Sequence, residues 1–246
     1  MTGIGIGRLL AVWIAVALSG CIGAGGFQDR LRATTGELKY LHEAATEPAA
    51  ETAALPKQPD TVGLGAVTLT GPLPPASAVA RTGGLVIPLL FVNIWTGDYR
   101  GSLGAAELRE DLPGFARRSL AEDLEQAATH PYVEHDPNLQ VDVTISRVAV
   151  AAPIHEQGHM LLLLFWFAYS SQVRAGPVTV DLDGEVVVRR GGDVLRCRPI
   201  QVHARVGAGP PVKDWKAEDL TLDMVNALSL AVKEFNHRVV LEVNAL

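Results

Sequence analysis

From Leu139 to Ser146 the chain alternates strictly: Leu139, Val141, Val143 and Ile145 against Gln140, Asp142, Thr144 and Ser146. A period of two over eight residues describes a strand with one buried and one wet face. The same pattern returns at Val178, Val180, Leu182, Val186 and Val188, set against Thr179, Asp181, Asp183 and Glu185. Arg190-Gly191-Gly192-Asp193 then reads as a turn, and Val194 to Val206 as the returning partner strand. Pro199 lacks an N–H for the ladder, so it predicts a bulge or a sheet edge in that strand. Strands apolar on one side only form an antiparallel sheet that needs a cover.

Two segments have the spacing to supply it. Over 105–128, Leu108, Leu112, Phe115, Leu120 and Leu124 share one face of a helix, with Arg117, Arg118, Glu122 and Asp123 on the other. Pro113 either kinks this helix or opens its main segment. From near Ala217, Leu220, Met224, Leu228, Ala231 and Phe235 form a second stripe, leaving Lys216, Asp223, Asn226 and Lys233 to other faces. Ahead of both helices, Val62, Leu64 and Ala66 alternate as a strand. After a proline-rich link at 72–75, residues 85–95 read as an edge strand or a bend at Pro88. The expected class is α+β: an antiparallel sheet covered on one face by two long helices.

The amino terminus has another logic. In MTGIGIGRLLAVWIAVALSGC, Arg8 is the single side-chain charge, followed by an apolar run from Leu9 to Leu18. About ten residues is half of what a bilayer-crossing helix needs, which is the layout of an export signal. Leu18-Ser19-Gly20-Cys21 resembles the lipobox of bacterial lipoproteins. In that family the cysteine thiol receives a diacylglyceryl group, the chain is cut before it, and the new amino end is acylated. The resemblance therefore implies lipidation of Cys21, with the covalent lipid as the only attached group and no other cofactor. Ile22 follows the cysteine where an Asp would resemble the inner-membrane retention signal of enteric bacteria, so the resemblance favours the outer membrane. Acyl chains would hold the protein firmly, at about 0.8 kcal/mol per buried methylene. The segment after Cys21, rich in Gly and then in Ala, Glu, Thr and Pro, reads as a flexible tether, with a short helix at Leu31, Leu38, Tyr40 and Leu41. The division is 1–20 signal peptide, 21–60 lipidated tether, 61–246 a single periplasmic domain.

Composition narrows the function. A net charge of −6 without a basic run excludes a nucleic-acid partner. His155-Glu156-Gln157-Gly158-His159 spells H-E-x-x-H, which resembles the zinc-peptidase motif. On a helix its two imidazoles would lie one turn apart around Zn²⁺, and the glutamate would activate a metal-bound water. Pro153 and Gly158 oppose a helix, so the segment reads as a loop with two exposed histidines. A membrane-anchored zinc metallopeptidase using His155, Glu156 and His159 stays as the competing reading. Met160 to Tyr169 is a run of ten apolar or amphipathic residues. It forms either an interior strand or an exposed lip for a partner or a membrane, with Leu163, Phe165, Trp166 and Phe167 as the contact residues. The interior strand is preferred, since an open patch invites aggregation. Asp181, Asp183 and Glu185 read as the wet side of a hairpin. Cys197, flanked by Arg196 and Arg198, reads as a half-buried free thiol, with thiolate character if exposed.

The layout resembles small bacterial envelope lipoproteins: auxiliary lipoproteins of ABC-type export systems, YajG-like lipoproteins, and the amino-terminal domain of TolB. The resemblance implies an outer-membrane lipoprotein facing the periplasm. Its role would be non-enzymatic, as accessory or scaffold to a transport or envelope-assembly complex, and no catalytic residue carries over.

Overall fold

The computed structural model describes residues 22–41, 56–73, 76–89, 91–163, 166–207 and 217–246. They form seven strands in one mostly antiparallel sheet together with three α-helices, an α+β fold. The strands are β1 (Val62–Leu69), β2 (Ala78–Pro88), β3 (Val92–Ser102), β4 (Leu139–Leu163), β5 (Trp166–Ala175), β6 (Val178–Arg190) and β7 (Asp193–Val206). The helices are α1 (Ile22–Thr35), α2 (Leu112–Ala127) and α3 (Ala217–Asn244).

β4 organises everything else. At 25 residues it is far longer than the alternation at 139–146 suggests, and its two halves have different neighbours. Its first half lies between β6, from Leu139↔Arg190 to Ala151↔Thr179, and β1, which runs parallel to it from Val62↔Leu139 to Leu69↔Ile145. Its second half lies between β5, from Ile154↔Ala175 to Leu163↔Trp166, and β3, from Ser102↔Ala151 to Val92↔Leu161. β2 pairs outside β3, and β7 outside β6. Four strands (β2, β3, the far half of β4, and β5) thus continue one side of the sheet as an arm.

Pro153 does not interrupt β4, for a geometric reason. Its carbonyl accepts from Gly176 N–H at 2.8 Å, so its nitrogen also faces the Gly176–Pro177 junction where β5 ends and β6 begins. That side is away from β3, so the missing N–H takes nothing from the β3–β4 ladder. Pro199 sits on the edge strand β7, while the register break between β6 and β7 falls at Val188/Arg189 instead.

The alternation sorts the side chains as expected. Leu139, Val141, Val143, Ile145, Val178, Val180, Leu182, Val186 and Val188 are buried. The intervening positions carry cross-strand pairs: Asp142 with Arg189 at 3.2 Å, Arg147 with Asp183 at 3.8 Å, and His203 with Asp181 at 2.6 Å. Asp181, Asp183 and Glu185 each meet a neighbour on the adjoining strand, as the wet side of a hairpin should.

α2 starts at Leu112, where the Asp111 carboxylate accepts from Gly114 N–H at 2.8 Å, with Pro113 in the first turn where no N–H is needed. Leu112, Phe115, Leu120 and Leu124 are buried, as are Leu220, Met224, Leu228, Ala231 and Phe235 of α3. α3 packs on β6, β7 and β4 and also touches α1 and α2. At Gly184 of β6, a Cβ would fall 2.9 Å from the Phe235 ring, so the glycine lets the helix come close.

Two polar residues depart from the helical-wheel reading. Lys233 is buried, and its Nζ donates to Asp123 at 3.2 Å, so the pair joins α3 to α2 rather than facing solvent. Burial pushes the Asp123 carboxyl above its usual range, and Lys233 pulls it back.

The stretch read as a tether also differs. α1 spans Ile22–Thr35, so of the short helix expected at Leu31, Leu38, Tyr40 and Leu41 only Leu31 is helical; Leu31, Thr35 and Tyr40 are buried, and Tyr40 stacks on Phe115 at 4.5 Å between ring centroids. Lys57 donates to the Ala128 carbonyl at 2.9 Å, and Gln58 N–H to that of Thr129. Hence parts of residues 21–60 belong to the packed domain. Cys21 and the apolar leader lie outside the described residues.

Candidate functional site

The HEQGH segment is strand, not loop and not helix. His155 to His159 pair with Asp98 to Ile94 on β3 and with Arg174 to Ser170 on β5. In an extended strand, residues four apart share a face but stand about 13 Å from each other. A helical turn would bring them within about 6 Å, so His155 and His159 are not spaced to share one ion. Glu156 projects to the opposite face, where it accepts from Trp95 Nε1 at 3.4 Å and Tyr99 Oη at 3.2 Å. His155 Nδ1 lies 2.7 Å from Asp98 Oδ1. Among the described residues no group of three or more His, Cys, Asp or Glu is placed to hold a metal. Within the segment the Trp95 indole lies over Gly158, where a Cβ would come into collision with the ring.

Cys197 is exposed rather than half-buried, and its Sγ donates to Glu185 Oε1 at 2.7 Å. That hydrogen bond pushes the thiol up from its ordinary value, opposite to the effect expected from Arg196 and Arg198. A shallow groove of about 470 Å³ opens where the arm leaves the sheet, between Arg100, Pro153, Pro177, Thr179 and Arg205. Its lining includes no carboxylate, histidine or cysteine that could act as nucleophile or base.

The end of the arm is chemically unlike the rest of the molecule. Rows of paired residues run across its strands: Leu85–Thr96–Gln157–Gln172, then Val86–Trp95–Gly158–Ser171, then Ile87–Ile94–His159–Ser170. Further out come Pro88–Asn93–Met160–Tyr169, Val92–Leu161–Ala168, and finally Leu163–Trp166. Leu85, Leu89 and Phe91 are 60%, 51% and 54% exposed, and Val86 and Ile87 are exposed too. On β4 the buried core stops at Ile154, and Met160, Leu161 and Ala168 are half-buried. These three residues are thus neither fully interior nor open surface.

Of the four contact residues expected from sequence, Leu163 and Trp166 form the last backbone pair of β4 and β5, and Phe167 pairs with Leu162. Phe165 lies outside the described residues. Reading the sequence alone missed residues 85–91 as their companions. The signal was present in Leu85-Val86-Ile87-Pro88-Leu89-Leu90-Phe91, an apolar run as dense as the second. Only the pairing of β3 with β4 places the two side by side.

No family model, no curated protein and no solved structure matches the chain. The functional reading therefore rests on the residues themselves.

Proposed function

We propose that this chain is a lipid-anchored envelope lipoprotein, held through Cys21 in the outer membrane and facing the periplasm. It works by contact, as a non-enzymatic accessory or scaffold to a transport or envelope-assembly complex. In this reading α2 and α3 cover the apolar face of the sheet, and the polypeptide between Cys21 and β1 links anchor to domain. The observation that carries the reading is the arm: four strands extended beyond the core to present exposed Leu85, Leu89 and Phe91. Apolar surface gathered at the end of an extension has one physical use, removal from water against something else. The spacing of His155 and His159 favours this over the peptidase reading.

Two measurements test it. Cys21→Ser should abolish labelling by a fatty-acid analogue and release the protein from the membrane fraction; unchanged labelling removes the anchor from the reading. Affinity purification from detergent-solubilised envelopes should recover a complex of fixed stoichiometry. A protein recovered alone, with proteolytic activity lost on Glu156→Gln, would reverse the conclusion.

A further inference from the structure

The proposed function leaves open what the arm touches. Residues 82–97 and 157–173, whose described members make up its outer part, contain no Asp, Glu, Lys or Arg, although a fifth of the whole chain is charged. The flanking residues restore charge at once: Arg81 and Asp98 on β2 and β3, Glu156 and Arg174 on β4 and β5. A protein docking face normally keeps a polar rim, and a periplasmic loop keeps charges for solubility. Complete loss of charge at one end of a sheet, with charge resuming at a common level on all four strands, matches a boundary between water and hydrocarbon.

The dimensions agree. From the Ile94–His159–Ser170 row to the Leu163–Trp166 row is four residues, or about 13 Å. That is close to one leaflet of a hydrocarbon core about 30 Å thick. Outward of His159 the rows hold Pro88, Met160, Leu161, Leu163 and Trp166, and one amide, Asn93, which is buried. Inward lie Trp95, whose Nε1 is hydrogen-bonded to Glu156, and the polar residues Thr96, Gln157 and Gln172. An indole with its N–H satisfied, beside uncharged amides and hydroxyls, is the chemistry of a headgroup layer.

The open edges of the arm set the depth. Among the described residues β2 and β5 each have an unpaired side there, and unpaired backbone groups are costly in hydrocarbon. The outer end of β2 is Pro88, which has no N–H to leave unpaired. A sheet with two edges can enter one leaflet with few such groups but cannot cross two.

We infer that the uncharged end of the arm, Leu85–Leu89 and Phe91 together with Met160–Leu163 and Trp166–Tyr169, inserts into one leaflet of a lipid bilayer, a second membrane contact independent of Cys21. This rests on the reading of a protein that works at a membrane, but not on lipidation.

The full chain carrying Cys21→Ser, Cys197→Ser and Leu89→Cys is labelled with an environment-sensitive nitrobenzoxadiazole dye and mixed with phosphatidylcholine vesicles with or without doxyl-labelled phosphatidylcholine. A companion carries the dye at Leu195→Cys, an exposed apolar position on β7 next to the β6–β7 turn. Dye at 89 should brighten several-fold with vesicles and lose most of that emission to doxyl lipid, while dye at 195 does neither. Equal behaviour at both positions overturns the inference. So does brightening at 89 that grows with protein density and ignores doxyl lipid, which would mean that arm ends meet one another. Anchoring is read separately, from vesicle flotation of the Cys21→Ser protein, so a failed anchor and a dry arm give different patterns.

Discussion

Leu228 and Leu230 lie two residues apart on α3, one fully buried and the other 39% exposed, and so form an internal control for the role of that helix. Leu228→Ala removes three carbons from the core. At about 0.8 kcal/mol per methylene, transfer alone costs about 2.4 kcal/mol. A cavity that does not fully collapse adds about 24 cal/mol per Å³, bringing the total to about 3–5 kcal/mol. For a domain of this size each kcal/mol lowers the melting temperature by about 2–4 °C, so the expected fall is about 6–20 °C. Leu230→Ala should stay within about 0.5 kcal/mol of wild type. Thermal unfolding of the full chain followed by far-ultraviolet circular dichroism reads both. If the two variants melt together, α3 is an appendage, and the reasoning that its buried stripe closes the core is refuted.

The docking of residues 31–41 can be checked at Tyr40, whose hydroxyl is buried without a hydrogen-bond partner among the described residues and is pushed well above its usual range by burial. Tyr40→Phe should leave stability unchanged or raise it by about 1 kcal/mol, whereas Tyr40→Ala should cost about 3–5 kcal/mol through the lost stack on Phe115; urea midpoints measure both. At the α2–α3 contact, Asp123→Ala leaves the Lys233 ammonium buried without its counter-charge and should cost about 3–5 kcal/mol. Asp123→Leu combined with Lys233→Met should recover most of that loss in the same denaturation assay. At Cys197, removing the carboxylate that accepts its hydrogen bond lowers the thiol pKa. Glu185→Gln should therefore speed iodoacetamide alkylation of the 197 peptide most on the alkaline side of neutrality, and equal rates by mass spectrometry would contradict the assigned bond.

Much of the base of the fold was legible because its signals are local. Alternation at 139–145 and 178–188 needs only neighbouring residues, and the stripe from Leu220 to Phe235 needs only helical spacing. The continuation of β4 through 155–163 was hidden because Pro153 argues for an ending, and only the β5–β6 junction opposite it makes the proline harmless. Helix-derived spacing likewise gave HEQGH a meaning that an extended strand removes. Cys197 failed in another way: its charged neighbours in sequence point along its own strand, while Glu185, which decides its acidity, comes from the next one. The buried Lys233–Asp123 pair is a contact between helices more than a hundred residues apart, beyond any local pattern. The arm was half visible, as two apolar runs about seventy residues apart whose adjacency exists only once β3 lies against β4.

The length of β4 has a mechanical consequence. One continuous strand runs from Leu139, deep in the core, to Leu163 at the far end of the arm, with a bulge against β6 between Ile145 and Arg147. There is no hinge loop between the two regions on this strand; the change of neighbours happens beside it, at Ala151 to Ile154. The arm therefore behaves as a lever whose fulcrum is that crossing. Its outer twelve residues reach about 40 Å, so a rocking of about 10° at the fulcrum would carry the end through about 7 Å. Whatever holds the end still would return the same torque to the strand that Val141, Val143 and Ile145 fix in the core.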